Sequence, residues 1–258
     1  MDLSSDIVTY EQPLNERIRI YLKLEHLFKQ IAGCASMPSI WGSRSALFGV
    51  LDTLNILARN DLKADVLKEL ERQAKNLSRL ETNPDVDTSQ LADILDRLDI
   101  LIDRIHSLRG QIAQELRDNE LLNSIRQRMT IPGGTCDFDL PGFNFWLKQS
   151  DAARTHDLLS WYESFDLMRA AIDIILMLVR RSAQPTSVQA IEGFYQQSLD
   201  SRFPQQMIRV AIPSDLRCFP EISGGKHRFT VRFMTGGMNK RPSQIKEDVD
   251  FQLTCCVL

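Results

Sequence analysis

Apolar residues recur along this chain at two spacings. From about residue 14 to residue 128, and again from 143 to 182, they return every three or four positions, the period of a helix with one buried face. Beyond about residue 185 they return at every second position, the period of a half-buried strand. A first helix is expected after Pro13, running to about residue 32, with Leu14, Ile18 and Leu22 beside Ile20, Leu24, Leu27, Phe28 and Ile31 on a wide apolar face. A second is expected over 43–59 through Leu47, Val50, Leu51, Leu54 and Leu57. Asn60-Asp61 reads as the cap of a third, 62–80, which Asn83-Pro84 ends. Asp87-Thr88-Ser89-Gln90 has the form of a capping box. It opens a seam, Leu91, Ile94, Leu98, Leu101, Ile105 and Leu108, that steps alternately by three and four. So short a seam suits an antiparallel helix pair, and the short flanking loops favour a partner within the same chain. Gly110 ends or interrupts this helix, and helical pattern continues to Arg128. Further helices are expected over 152–163 and 166–181, the last closed by Arg180-Arg181, which complement its dipole.

Strands are expected at both chain ends. Residues 7–12 alternate weakly and stop at Pro13. Residues 207–212, 227–233 and 249–255 alternate clearly. Their expected inward faces are Ile208, Val210 and Ile212; His227, Phe229, Val231 and Phe233; and Val249, Phe251, Leu253 and Cys255. Ser223-Gly224-Gly225 and Thr235-Gly236-Gly237 signal turns, and 236–247 reads as a mobile loop. Between the helical regions lies IRQRMTIPGGTCDFDLPGFNFWL, residues 125–147. Met129, Ile131, Cys136, Phe138 and Leu140 read as extended chain there, broken by Pro132-Gly133-Gly134, with helix resuming at 143–147. A strand in that position needs partners from the two chain ends. The expected fold class is therefore α+β, a multihelical bundle with a mainly antiparallel β-sheet domain built from N-terminal, middle and C-terminal strands. The expected division is 13–128 plus 143–182 for the helical domain, and 1–12 plus 129–142 plus 185–258 for the β domain.

Composition narrows the function classes. A net charge of −3 supplies no global basic field, so nucleic-acid binding is not expected and any basic site must be local. The longest apolar run, 170–179, is about half the ~20 residues a membrane span needs and contains Asp173. The opening MDLSSDIVTYEQ has neither the basic nor the apolar region of a signal peptide, so the chain is expected in the cytoplasm. Cys34, Cys136, Cys218, Cys255 and Cys256 show no CxxC spacing and are expected as free thiols. His26, His106, His156 and His227 form no HxxxH pair, and Gly224-Gly225-Lys226 fails the phosphate-loop pattern because Pro220 stands where its first glycine belongs and His227 where its hydroxyl belongs. Neither a metal nor a cofactor is expected. A thiol-dependent enzyme using Cys136, Cys255 or Cys256 is the alternative class. Core packing of Cys136 beside Phe138 and Leu140 competes with it.

The strongest local signal is basic. Arg17, Arg19 and Lys23 cluster on the first helix, Arg126 and Arg128 precede the central turn, and Lys226, Arg228 and Arg232 share a strand face. Pairing of Arg228 and Arg232 with Asp137, Asp139 or Asp250 is the ordinary competing expectation.

Several stretches carry a resemblance that runs nearly end to end. YEQPLNERIRIYLKLEHL, LKADVLKELERQ, the long central block IRQRMTIPGGTCDFDLPGFNFWL, GFYQQ, FPEISGGKHRFTVRFM and DVDFQLTCC together resemble the ZapD family of bacterial division factors. The resemblance implies a non-enzymatic homodimer that binds the C-terminal tail of FtsZ and bundles its protofilaments at the division septum. It implies a basic tail-binding surface, to which Lys23 in the first motif corresponds. Glu120 and Asn144 offer no positive charge where that surface would extend. The residues expected at the tail are Lys23, Arg19, Arg17, Arg126, Arg128, Arg228 and Arg232.

Overall fold

The computed structural model describes residues 6–58, 61–200, 202, 204–225, 227–237 and 240–257. It is an α+β fold in two compact units, Met1–Arg19 with Leu176–Leu258 and Ile20–Ile175. The division falls within two helices, α1 (Glu16–Ala35) and α9 (Asp166–Arg181).

The first unit is built of strands. β1 (Ile7–Pro13), β4 (Gln205–Pro213), β8 (Val249–Val257) and β2 (Thr186–Ala190) form one antiparallel sheet in the order β1-β4-β8-β2. A second antiparallel sheet runs β3 (Phe194–Ser198), β6 (Arg228–Gly237) and β5 (Phe219–Gly224), with β7 (Lys240–Gln244) also pairing to β6. The expected inward residues meet between the sheets. Ile208, Val210 and Ile212 on β4, Phe229, Val231 and Phe233 on β6, and Val249, Phe251 and Leu253 on β8 share one core. The Phe233 and Phe251 rings lie 5.2 Å apart across it. His227, expected with them, is exposed at the hairpin before β6, while Lys226 lies outside the described residues. Of the stretch 236–247 expected as a mobile loop, Gly236 and Gly237 continue β6 and Lys240–Gln244 form β7, which pairs back onto it; Met238 and Asn239 lie outside the described residues. Backbone pairing holds β7 to β6, although the polar side chains of β7 show no alternation.

The other face of the first sheet is also covered, which strand alternation alone did not anticipate. Met207 and Cys256 are fully buried there, while Cys255 packs partly buried against the inter-sheet core. On this face Glu11 of β1 accepts from Arg180 Nε and Nη2 at 2.8 Å each, and from Arg209 Nε at 2.9 Å. Register explains the second contact, since Glu11 stands directly across from Arg209. Ser182 then donates its hydroxyl to Val179 O and accepts from Val257 N at 2.9 Å.

The second unit is helical. Asn15 caps α1 by accepting from Ile18 N at 2.9 Å. Ser39 does the same for α2 (Ile40–Leu57), and Asp87 for α4 (Thr88–Ser107) by accepting from Ser89 N and Gln90 N. Asp61 precedes α3 (Leu62–Ser78) without a side-chain cap bond, and Asn60 lies outside the described residues. The seam pairs α4 with α3 inside this chain. Leu91, Leu98, Leu101 and Ile105 are buried with Leu62, Val66 and Leu70, and Lys63 Nζ reaches Leu108 O at 2.6 Å, so the two helices run antiparallel. The helix does not continue from there to Arg128. Gly110 takes a left-handed φ of +80°, and the short α5 (Gln114–Arg117) and α6 (Glu120–Arg128) follow. Next come α7 (Pro141–Leu147) and α8 (Asp151–Glu163). Arg154 of α8 is buried and donates to Ser43 Oγ, Leu147 O, Gln149 O and Asp151. One guanidinium thus ties α2, α8 and the end of α7.

The strand expected between 129 and 140 does not form. The chain there makes successive turns, Ile131 N to Arg128 O, Gly134 N to Ile131 O, Cys136 N to Gly133 O and Asp139 N to Cys136 O, at 2.9–3.2 Å. These local bonds satisfy the backbone that a strand would have offered to a partner. Gly133 is left-handed at φ +72°, and a Cβ on Gly134 would lie 2.6 Å from Arg128 O, so the glycines close the turns. The alternation is lost with the strand: Phe138 is 87% exposed and Ile131 48% exposed, while Leu140 is buried. This stretch falls in the helical unit.

Replacing Glu11 with Ala leaves two half-buried guanidiniums without their carboxylate. The expected loss is about 1.5–3 kcal/mol, read as a lower urea midpoint followed by near-ultraviolet circular dichroism. An unchanged midpoint would show that Glu11 does not hold β1 to the sheet.

Candidate partner-binding residues

The seven basic residues expected at a partner lie on three elements and have different surroundings. On α1, Lys23 is exposed and makes no ion pair with a described residue. Arg19, one turn earlier, is exposed and pairs with Glu16 at 3.3 Å, a contact that water screens. Arg17 is half-buried. The inward residues of the helix, Leu24, Phe28 and Ile31, are fully or nearly fully buried, so periodicity alone separates its basic side from its core side.

On α6 the two arginines serve their own neighbourhood. Arg126 donates to Asn123 Oδ1 at 2.9 Å, and Arg128 lies 3.7 Å from Asp139 across the turn. Both stand at the helix C-terminus, where a cation is favoured by the dipole.

On β6 the structure does bring Arg228 and Arg232 together. With Gln196, His227, Phe194 and the Gly224-Gly225 turn they line an open groove of about 590 Å³. Pairing with Asp137, Asp139 or Asp250 does not occur: Asp139 is taken by Arg128, and Asp250 accepts from Gln189 at 3.0 Å. Neither β6 arginine makes an ion pair with a described residue, and Arg232 faces Phe194 and Glu221 in register.

The thiols are all free. Burial raises the Cys255 and Cys218 thiols above their ordinary range and pushes Cys256 up to about 11, with Arg209 pulling the last one slightly back. A nucleophilic cysteine needs the opposite shift, because the thiolate is the reactive form. Cys136 Sγ donates to Asp139 Oδ2 at 3.3 Å. Among the described residues no group of three or more His, Cys, Asp or Glu is arranged to hold a metal ion.

Sequence periodicity missed a further group in the helical unit. Arg44 of α2 lies against three rings, with its Cζ 4.8 Å from the Phe143 centroid, 5.4 Å from Trp41 and 5.9 Å from Phe48. Its Nη2 donates to Thr135 O at 3.0 Å and Thr135 Oγ1 at 2.8 Å. Trp41 is 76% exposed and Phe145 71% exposed. The available signal was the run of aromatics in the central block, which an alternating-strand reading turned inward.

Comparison with known proteins places these features in a family. The family model for ZapD, described as a cell division protein, matches residues 22–232. A ZapD cell division protein of Methylococcus capsulatus is 43% identical over 251 residues, covering 97% of this chain and 98% of that protein. Those of Azoarcus sp. and Coxiella burnetii are 38% and 37% identical, over 98% and 96% of this chain and 100% and 97% of the relatives. This chain is thus similar over nearly its whole length to proteins named for a role in cell division. The chain belongs to the ZapD family. No helix among the described residues is long and apolar enough to cross a membrane.

Native-state labelling at pH 8 with a small thiol reagent should leave Cys256 unreacted until denaturant is added. The raised thiol of the folded chain also means that its contribution to stability is full below pH 9 and is lost as pH climbs towards about 11. Labelling of Cys256 as fast in the native as in the unfolded chain would contradict its burial.

Proposed function

We propose that this chain is a non-enzymatic cell division factor that binds the C-terminal tail of FtsZ and, as a homodimer, cross-links FtsZ protofilaments. It works in the cytoplasm and is recruited to the division septum at mid-cell. The observation that carries this reading is the near full-length similarity to ZapD proteins, 43% identical over 97% of the chain in one relative. The physical logic is bivalency. Two weak tail sites on one dimer engage two filaments, and the second contact forms at high effective concentration.

Lys23 is the first candidate for the tail contact. Its ammonium is exposed without an ion-pair partner among the described residues, so no existing pair must be broken. Arg19 stands one turn away on the same helix, and its exposed pair with Glu16 exchanges at little cost. Arg17 adds charge to that helix, and Arg126 and Arg128 extend the candidate set. Arg228 and Arg232 form the alternative cationic surface, on the β unit. A charge-led contact of this kind weakens as salt rises.

Co-sedimentation with FtsZ polymer at low and high salt tests the reading. The parent should pellet with polymer at low salt and be released at high salt. Lys23→Glu should weaken co-pelleting by roughly threefold to tenfold, while stability changes by less than about 0.5 kcal/mol. Lys75→Glu, on α3, is the control and should pellet like the parent. Absence of co-pelleting at low salt would sink the proposal. Parent-like pelleting by Lys23→Glu would move the site to Arg228 and Arg232.

A further inference from the structure

We infer that the free edge of β3, with Arg228 and Arg232 on the neighbouring β6, is a docking site for an extended acidic peptide that joins the sheet as a further strand. All of these residues belong to the β unit. The inference goes beyond the tail-binding reading and does not rest on it.

Backbone register leaves the edge open. Phe233 N donates to Gly193 O and Leu199 N donates to His227 O, each at 2.8 Å. The odd-numbered residues of β3 therefore bond to β6, and the N–H and C=O groups of the even-numbered ones point the other way. Ile191 O meets Phe194 N on that side at 2.9 Å. Gln196 and Ser198 point to an edge that no strand among the described residues covers. Such edges are commonly guarded by charge or proline. β1 carries Glu11 and Pro13, β5 carries Pro220 and Glu221, and β7 carries Arg241 and Pro242. β3, with the sequence FYQQS, carries neither. β2 is equally unguarded, but its neighbour β8 presents Asp250 and Gln252, which are already bonded to Gln189 and Ser187.

Charge selects the occupant. On the solvent face Arg232 stands across from Phe194, Thr230 from Gln196 and Arg228 from Ser198. Neither arginine makes an ion pair with a described residue, and both line the open groove. Ser198 is small, so the Arg228 side chain can lean across β3 towards a carboxylate on an added strand about 4.8 Å further out. Phe194 is 37% exposed and offers an apolar contact beside Arg232. Four residues separate the arginines, about 13 Å along a strand. An extended peptide matches that interval with two carboxylates on one face. Pairing along the edge supplies affinity, and the arginines supply selectivity. A phosphate polymer fits less well, because Glu221 is exposed directly across from Arg232.

The probe is a labelled synthetic peptide of about eight residues in which threonine and valine alternate. Glutamate replaces two of the threonines at the separation of Arg228 and Arg232. Anisotropy is followed as the full chain is added at low salt. The parent should bind saturably, and a version with glutamine for glutamate should bind about tenfold more weakly. Arg228→Gln should weaken binding by about threefold to tenfold. Gln196→Pro removes an N–H from the free edge alone, so it should weaken binding by about tenfold with far-ultraviolet circular dichroism unchanged. Where that variant does not fold, the peptide carries the same test. Methylating one alternate set of its backbone nitrogens should abolish binding, and methylating the other set should not. No saturable binding by the parent overturns the inference, as does equal binding of the glutamine peptide or equal effects of the two methylated sets. Conversion of a parent dimer to monomer by Gln196→Pro in analytical ultracentrifugation also overturns it, because the edge then meets a second copy.

Discussion

Glu11 is the residue on which the β unit closes. Its carboxylate takes two arginines from far along the sequence, Arg180 at the end of α9 and Arg209 in β4. The three side chains are only 18–27% exposed, so the contact is strengthened by partial desolvation, and removing one member leaves the others uncompensated. Because Glu11 sits on β1, the first strand is held by its ladder to β4 and by this fork on its outer face. The covered outer face in turn buries Met207 and Cys256, which raises the thiol far above the range where it could react at neutral pH.

The helical unit solves a comparable problem with Arg154. It is 4% exposed, and its guanidinium satisfies Ser43, two backbone carbonyls and Asp151. Those carbonyls, of Leu147 and Gln149, belong to the end of α7 and the residues after it, where helical carbonyls lack intrahelical partners. Burying one arginine here lets α7 end tightly against α8 and α2. The consequence reaches the surface, since the same short helix that buries Phe143 presents Phe145.

Two kinds of surface chemistry result, and they suit different parts of recognition. Lys23 and the β6 arginines offer charge that is exposed, screened by salt and suited to drawing in an acidic partner. Arg44 offers charge that is half-buried among rings, where geometry and desolvation matter more than range.

Periodicity in the sequence determined most of the elements and their inward faces. Helices α1 to α4, α8 and α9 follow the three-to-four spacing. β4, β6 and β8 follow alternation, and their apolar faces meet in the core as expected. The short loops also favoured a partner for the seam within the same chain, and the fold supplies that partner as α3. The exposed side of α1 follows from the same helical arithmetic, which is why Lys23 stands in solvent. Residues 129–140 mark where this reading fails. Their apolar residues alternate, but alternation fixes a strand only if another edge is available, and here consecutive glycine-assisted turns satisfy the backbone locally. That choice sent Phe138 outward and placed Thr135 under Arg44. β2, β3, β5 and β7 escaped notice because edge and hairpin strands need only backbone bonds, which leave no mark in side-chain period. The sequence by itself therefore determined which faces of regular elements are buried. Only the tertiary structure decided which side chains from separate elements share a surface, because that depends on contacts between residues far apart in the chain, as between Arg44 and Thr135.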